Sequence, residues 1–298
     1  MTEKEARQIV LSKPERIAGF DRGLTARLRR DTANGKVALV EIAGRDSVAA
    51  GVKAASSGSY DFLVPTIVYT GTEYGDWSNV LSNARALAGR FQGGAGPRVL
   101  ETVVLGSLSW WHATAGRFSS QLSNLYGFSP TCIACHMYLH AARVSLAKEI
   151  GAGTLVSGER LSHDGRLKLN QLAPALHAYQ EVLAENGIEL DFPIVDIREG
   201  LHIEKVLGEG WEESARQLRC VLEGNYRDPQ GDIIVRDEDL AAYIDEFLVP
   251  VTSEVLSSFA ADSSPDYIAV AQQVMSSIIK FRPGSPARLL NPGLERPG

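Results

Sequence analysis

Cysteine is scarce in this chain: Cys132, Cys135 and Cys220 are the 3 cysteines among 298 residues. So small and odd a number excludes a disulfide framework and leaves a metal site, a redox pair or buried thiols as their uses. Long apolar runs are also lacking. No stretch approaches the ~18 apolar residues of a membrane-spanning helix, so no membrane partner is expected. The opening residues, Met1-Thr2-Glu3-Lys4-Glu5-Ala6-Arg7, lack the apolar core of a signal peptide, and a cytoplasmic location is expected. Positive charge is not in excess: 30 Lys and Arg stand against 36 Asp and Glu, a net charge of −6. That disfavours a surface that embraces nucleic acid throughout and leaves room for a local basic face. No internal repeat is present.

What is there is globular. With 44% hydrophobic and 22% charged residues, 298 residues suffice for one large α/β domain with appendages. Residues 12–30 read as an N-terminal helix. Ser12 and Glu15 have capping-box spacing, Ile17, Phe20, Leu24 and Leu28 recur at helical intervals, and Arg16, Arg22, Arg27, Arg29 and Arg30 form a solvated opposite face. Strands and helices then alternate. Strands are predicted at 37–42, 62–69, 99–104, 154–157 and around 192–195, with helices at 47–56, 77–91, 135–150 and 171–186. After about residue 200 the strands nearly vanish. Helices are expected around Leu240–Phe247 and Ile268–Ile278, then a Pro- and Gly-rich tail over 282–298. This divides the chain into a helical segment at 1–34, an α/β domain at 35–200 and a mostly helical region at 201–298. Alternation of this kind implies a parallel sheet with helices on both faces. Ligands bind such sheets at the carboxyl ends of strands, which places the loops after Ile42, Tyr69, Val104 and Ser157 around one cleft.

Three stretches at that edge carry chemistry. After the first strand comes Ala43-Gly44-Arg45-Asp46-Ser47 at a helix start, where unpaired backbone N–H groups and the helix dipole favour an anion. Gly44 admits close approach, while Asp46 and Ser47 are natural capping residues. The other use of the same residues is a plain capped helix. Cys132-Ile133-Ala134-Cys135 places two thiols one turn apart near a helix start, where thiolates are favoured. With Cys220 they make three sulfur ligands for one metal centre. With His136 they could hold zinc. Cys132-x-x-Cys135-His136 also spells a haem attachment signature, and three buried thiols are the bland alternative. His136 and His140, four apart, share a helix face, as metal ligands or simply packed. The loop Gly158–Gln171 holds Glu159, Arg160, His163, Asp164, Arg166 and Lys168. Its cations, Arg160 and Lys168 among them, suit phosphate charge, and Glu159 or Asp164 suits a magnesium ion. Trp110 and Trp111 either line the cleft or cap the core.

The stretch from Ala43 to Ser47 resembles the Ser-Gly-Gly-x-Asp-Ser signature of the PP-loop ATP pyrophosphatases, the adenine-nucleotide alpha hydrolases of the Rossmann-like HUP class. Ile42 and Ala43 stand where that pattern has Ser and Gly. Tyr69-Thr70-Gly71 resembles the turn those enzymes place beside adenosine. The C-x-x-C, the helix with Arg143, the strand ending at Gly158 and the late Cys220 resemble the tRNA 2-thiocytidine synthetases. The resemblance covers about residues 35–225. It implies a HUP parallel sheet and an ATP-binding domain over 35–200. It also implies a 4Fe-4S iron–sulfur cluster on Cys132, Cys135 and Cys220, with zinc as the alternative. The implied activity is an AMP- and pyrophosphate-forming sulfurtransferase that uses ATP and Mg2+. Ala43 to Ser47, Tyr69 to Gly71, Gly158, Glu159 and Asp164 would bind nucleotide and metal, with Asp46, Arg160 and Lys168 catalytic. The substrate is a small molecule or free base, or tRNA; the sulfur donor is sulfide or a cysteine desulfurase; a homodimer stays open. Rival expectations are a zinc-containing amide- or nitrile-forming ligase, a phosphoadenylyl-sulfate reductase-like enzyme and a non-catalytic sensor.

Overall fold

The fold is taken from a computed structural model that describes residues 2–17, 22–94, 96–208, 210–211, 216–261 and 264–281. Phe20 and the 282–298 tail lie outside the described residues. The helices are α1 (Glu3–Ser12), α2 (Arg22–Thr32), α3 (Arg45–Ser56), α4 (Trp77–Arg90), α5 (Leu108–Trp111), α6 (Ser119–Tyr126), α7 (Thr131–Ala141), α8 (Val144–Ile150), α9 (Ala173–Glu185), α10 (Gly200–Leu207), α11 (Asp237–Tyr243), α12 (Val249–Ala260) and α13 (Tyr267–Phe281). The strands are β1 (Val37–Glu41), β2 (Phe62–Tyr69), β3 (Glu73–Tyr74), β4 (Arg98–Val99), β5 (Val103–Gly106), β6 (Thr154–Val156), β7 (Glu189–Asp191) and β8 (Arg219–Cys220).

Strands β4-β2-β1-β6-β7 lie side by side and all pair in parallel, with β5 continuing beside β2 where β4 stops. One face is covered by α1, α3, α4 and α10 and the other by α2, α7, α8, α9 and the C-terminal helices. This is the expected α/β fold, a parallel sheet with helices on both faces and helical extensions. No helix among the described residues is long and apolar enough to cross a membrane.

Several boundaries differ from the sequence pattern, each for a local reason. The expected helix at 12–30 is two helices. Thr2 and Glu5 form the capping box of α1, and Ser12 is its last residue. Lys13 turns left-handed at φ 47°, and Pro14 keeps the chain out of the helix. Arg16 therefore leaves the solvated face: its backbone bridges Gly106 and its Nε donates to Val104 O at 3.0 Å. The expected strand at 99–104 is split into β4 and β5, with the register against β2 slipping by one residue between them. Pro65 in the middle of β2 explains where the split falls. Leu63 O accepts from Leu100 on that side while Thr66 O accepts from Ile42 on the other, so Pro65, which has no N–H, faces the gap between β4 and β5. The helix at 135–150 breaks into α7 and α8 around Ala142-Arg143. The last parallel strand is Glu189–Asp191, upstream of the expected 192–195.

Candidate functional site

The carboxyl ends of β1, β2 and β6 meet at one cavity of about 390 Å³, within the roughly 300–1,000 Å³ of ligand sites. The first wall is the β1–α3 loop. The helix starts at Arg45, two residues earlier than the pattern suggested, and Gly44 is its N-cap without a side-chain cap. Ser47 Oγ donates to Gly44 O at 2.7 Å and accepts from Ala43 N at 2.9 Å, so the hydroxyl closes the loop on itself. Gly158 presses on this loop from behind. A Cβ there would sit 2.6 Å from Ser47 N, so only glycine permits the contact. Gln217 lies over Gly44, its Oε1 only 2.6 Å from where a Cβ would stand.

Asp46 sits between two arginines. Arg45 Nε is 3.1 Å from its Oδ1, and Arg160 Nε is 3.0 Å from its Oδ2 without hydrogen-bond alignment. Arg160 is fully buried and also donates to Ile197 O. Its guanidinium packs against the back of the loop and does not line the cavity. Arg45 reaches away to Glu204 of α10 at 3.4 Å. That leaves Lys168 as the cation of the 158–171 loop that lines the cavity. His163, buried beside Lys168 and Arg160, is pushed down to about 4 by burial first and by those two charges next.

The second wall is the turn after β2. Glu73 accepts from the backbone of Thr70 at 2.5 Å and Gly71 at 2.8 Å, and Thr70 and Thr72 share a hydroxyl hydrogen bond. Immediately afterwards β3 pairs antiparallel with β8, placing Cys220 opposite Glu73. This two-residue ladder brings a distant cysteine back to the sheet edge. Cys220 Sγ accepts from Leu222 N and donates to Thr72 Oγ1, both at 3.4 Å. Cys132 and Cys135 occupy the first turn and a half of α7, and all three cysteines line the cavity. Burial pushes the Cys132 thiol up to about 12 and Cys135 higher still, and the neighbouring thiols add to both shifts. All three thiols open onto the one cavity, two of them near the start of α7 and one from β8, and their chemistry suits a thiophilic metal.

Beneath the cysteines runs a buried polar network that sequence reasoning did not assemble. Glu41, at the end of β1, accepts from His140 Nδ1 at 2.8 Å and from Ser157 Oγ at 2.8 Å, and forms an ion pair with Arg143 Nη1 at 3.0 Å. Although burial alone would raise it, Arg143 and His140 hold its carboxyl down to about 2. Burial alone would lower His140, but Glu41 and Glu159 raise it to about 9. Glu159 accepts from His136 Nδ1 at 2.6 Å and from Gln171. Asn170 bonds His136 Nε2 at 3.1 Å. Both ring nitrogens of His136 are thus engaged away from the cysteines. The signals were present, His136 and His140 at i,i+4 and Glu159 after a strand, but only the packing of α7 over β6 joins them.

Of the expected site residues, Ala43, Gly44, Arg45, Asp46, Ser47, Thr70, Gly158, Glu159, Lys168 and the three cysteines line the one cavity. Tyr69, Gly71, Asp164 and Arg160 do not. Tyr69 is a core side chain whose hydroxyl bonds Pro14 O and Gly106 O. Asp164, at φ 53°, caps Gly200 N at 2.8 Å. Trp110 is core, stacked on Tyr267 with centroids 5.8 Å apart, whereas Trp111 lines the cavity.

Fold and cavity together define an α/β protein with a ligand-sized site at the carboxyl edge of a parallel sheet. No known family model matches the chain. It is 36% identical over 222 residues to the uncharacterized protein MJ0009 of Methanocaldococcus jannaschii, covering 74% of this chain and 80% of that protein. The chain belongs to the family of that archaeal protein.

Proposed function

We propose that this protein is an ATP-dependent sulfurtransferase of the PP-loop kind. The observation that carries this is the meeting of the Gly44–Ser47 loop and the three cysteines, from two distant segments, at one cavity. In this scheme a substrate carbonyl oxygen attacks the α-phosphorus of ATP and the bond to pyrophosphate breaks. Sulfide then adds to the activated carbon, and AMP leaves with the former carbonyl oxygen. The start of α3 meets the leaving pyrophosphate with backbone N–H groups and the positive end of a helix dipole. Lys168 neutralises charge that grows on the leaving group. Asp46, Arg160 and Gly158 hold the loop in shape behind it; they are positioning residues. Magnesium arrives with the nucleotide. An iron–sulfur cluster on Cys132, Cys135 and Cys220 would supply an iron atom with no protein ligand, which can carry sulfide.

The test is exchange of labelled pyrophosphate into ATP with each substrate class. A Lys168→Ala variant should lose at least about tenfold of that exchange, the size of one lost charge-assisted contact. Bulk tRNA and free bases are the two substrate arms. Retardation of tRNA that weakens steeply with salt selects tRNA, while exchange driven by a free base without tRNA binding selects a small molecule. No exchange with either class removes the adenylation step.

A further inference from the structure

One buried group is not used by the loop or by the cysteines. His136 and His140 project from the same face of α7, and Glu159 rises from the end of β6 to meet them. One ligand atom from each of His136, His140 and Glu159 lies within 4.8 Å of the other two, and Glu159 Oε1 stands 2.6 Å from His136 Nδ1 and 3.6 Å from His140 Nε2. His140 is fully buried, and its Nε2 has no hydrogen-bond partner. Its Nδ1 faces Glu41 at 2.8 Å. Its Nε2 faces Glu159 Oε1 at 3.6 Å. In the metal-free protein a second proton on the ring balances that carboxylate, and a divalent cation can take the proton's place. The separation is too long for an N–H···O bond. It is close to the ~3.4 Å between two ligand atoms on one tetrahedral metal with bonds of about 2.0–2.1 Å.

We propose that His136 Nδ1, His140 Nε2 and Glu159 Oε1 bind a divalent first-row transition cation of the zinc type, at a centre separate from the three cysteines. Two imidazoles and one carboxylate are the donors of such ions, whereas magnesium prefers oxygen alone. Every ligand is oriented from behind. Glu41 fixes the His140 tautomer, Asn170 holds His136 Nε2, and Gln171 holds the second oxygen of Glu159. To admit the ion, His136 opens its 2.6 Å bond to Glu159. Its side chain is 31% exposed and has room to turn. His136 and Glu159 line the cavity, so the ion's remaining coordination position lies on that side.

This centre stands without the sulfur-transfer scheme, and the test separates them. Cobalt(II) alone is titrated into a Cys132→Ser, Cys135→Ser, Cys220→Ser triple variant, which removes all three sulfurs. Expected is uptake of about one ion per chain, with ligand-field absorption and no sulfur-to-cobalt charge transfer. His140→Gln in the same background abolishes the uptake. Glu41→Gln weakens it by roughly 10–100-fold, as loss of a partner behind a ligating histidine does. No uptake by the folded triple variant, or uptake indifferent to His140→Gln, overturns the proposal. A second measurement does not depend on that variant folding. In the otherwise wild-type chain, His140→Gln must remove a cobalt signal of nitrogen and oxygen ligation while sulfur-ligated metal is unchanged. Loss of both signals or of neither overturns it equally.

Discussion

Glu41→Gln is the substitution with the most to say about how this site is held. Glu41 is 13% exposed at its side chain and touches Arg143, His140 and Ser157. The glutamine keeps the volume and removes the charge, leaving two cationic groups buried without it. His140 sits at about 9 in the folded protein against 6.5 for the free side chain. That difference corresponds to about 3 kcal/mol. Because the folded value is the higher one, the stabilisation is full below about pH 6.5 and fades as pH rises through 9. Glu41 itself is held at about 2, so its contribution is present above about pH 4.5 and lost as pH falls through 2. Both values describe largely the same contact, so they are not added. Urea unfolding of metal-free protein at about pH 6, 7.5 and 9 is the assay. The wild type should lose about 3 kcal/mol between pH 6 and pH 9. The variant should start roughly 3–5 kcal/mol lower at pH 6 and decline less steeply toward pH 9, because only Glu159 is left to raise its His140. A variant as stable as wild type at pH 6, or one with the same decline toward pH 9, refutes the reasoning.

Three further outcomes follow from the contacts. Gly158→Ala pushes a methyl group into the backbone of Ser47 and should cost about 1–3 kcal/mol in unfolding free energy while weakening protection of the chain by ATP. Arg160→Met should destabilise by about 3–5 kcal/mol, since a fully buried cation against Asp46 is removed. A folded Arg160→Met of wild-type stability that is merely inactive would make Arg160 a catalytic cation instead. Cys220→Ser should leave the unfolding midpoint of metal-free protein nearly unchanged, because β8 is a two-residue strand, and abolish bound iron in anaerobically prepared protein.

The alternating pattern from Val37 to Val156 was legible because buried parallel strands and amphipathic helices write strong periodicities. So were the cavity walls, since α/β connectivity sends every βα loop to one edge. Short-range chemistry hid the rest. Pro14 stops a helix whose apolar spacing runs on past it, and Pro65 sits where two short strands share one neighbour. The charge-rich 158–171 loop looked like a phosphate clamp as a whole. In the fold Arg160 turns inward to brace the Asp46 loop, Asp164 stays at the surface and caps the start of α10, and Lys168 alone of those named catalytic in that loop lines the cavity. The β3–β8 pair that carries Cys220 is too short to leave any periodic trace, and the network of Glu41, His140 and Glu159 joins three elements far apart in sequence.

The central claim is that Cys132, Cys135 and Cys220 hold one iron–sulfur cluster facing the Gly44–Ser47 loop. The direct measurement is iron, acid-labile sulfide and zinc content, with an optical spectrum, of protein purified without oxygen. About four irons with matching sulfide per chain, abolished in Cys220→Ser, is the predicted result. Sulfur-bound zinc at the three cysteines with no iron, or iron that persists in Cys220→Ser, contradicts it.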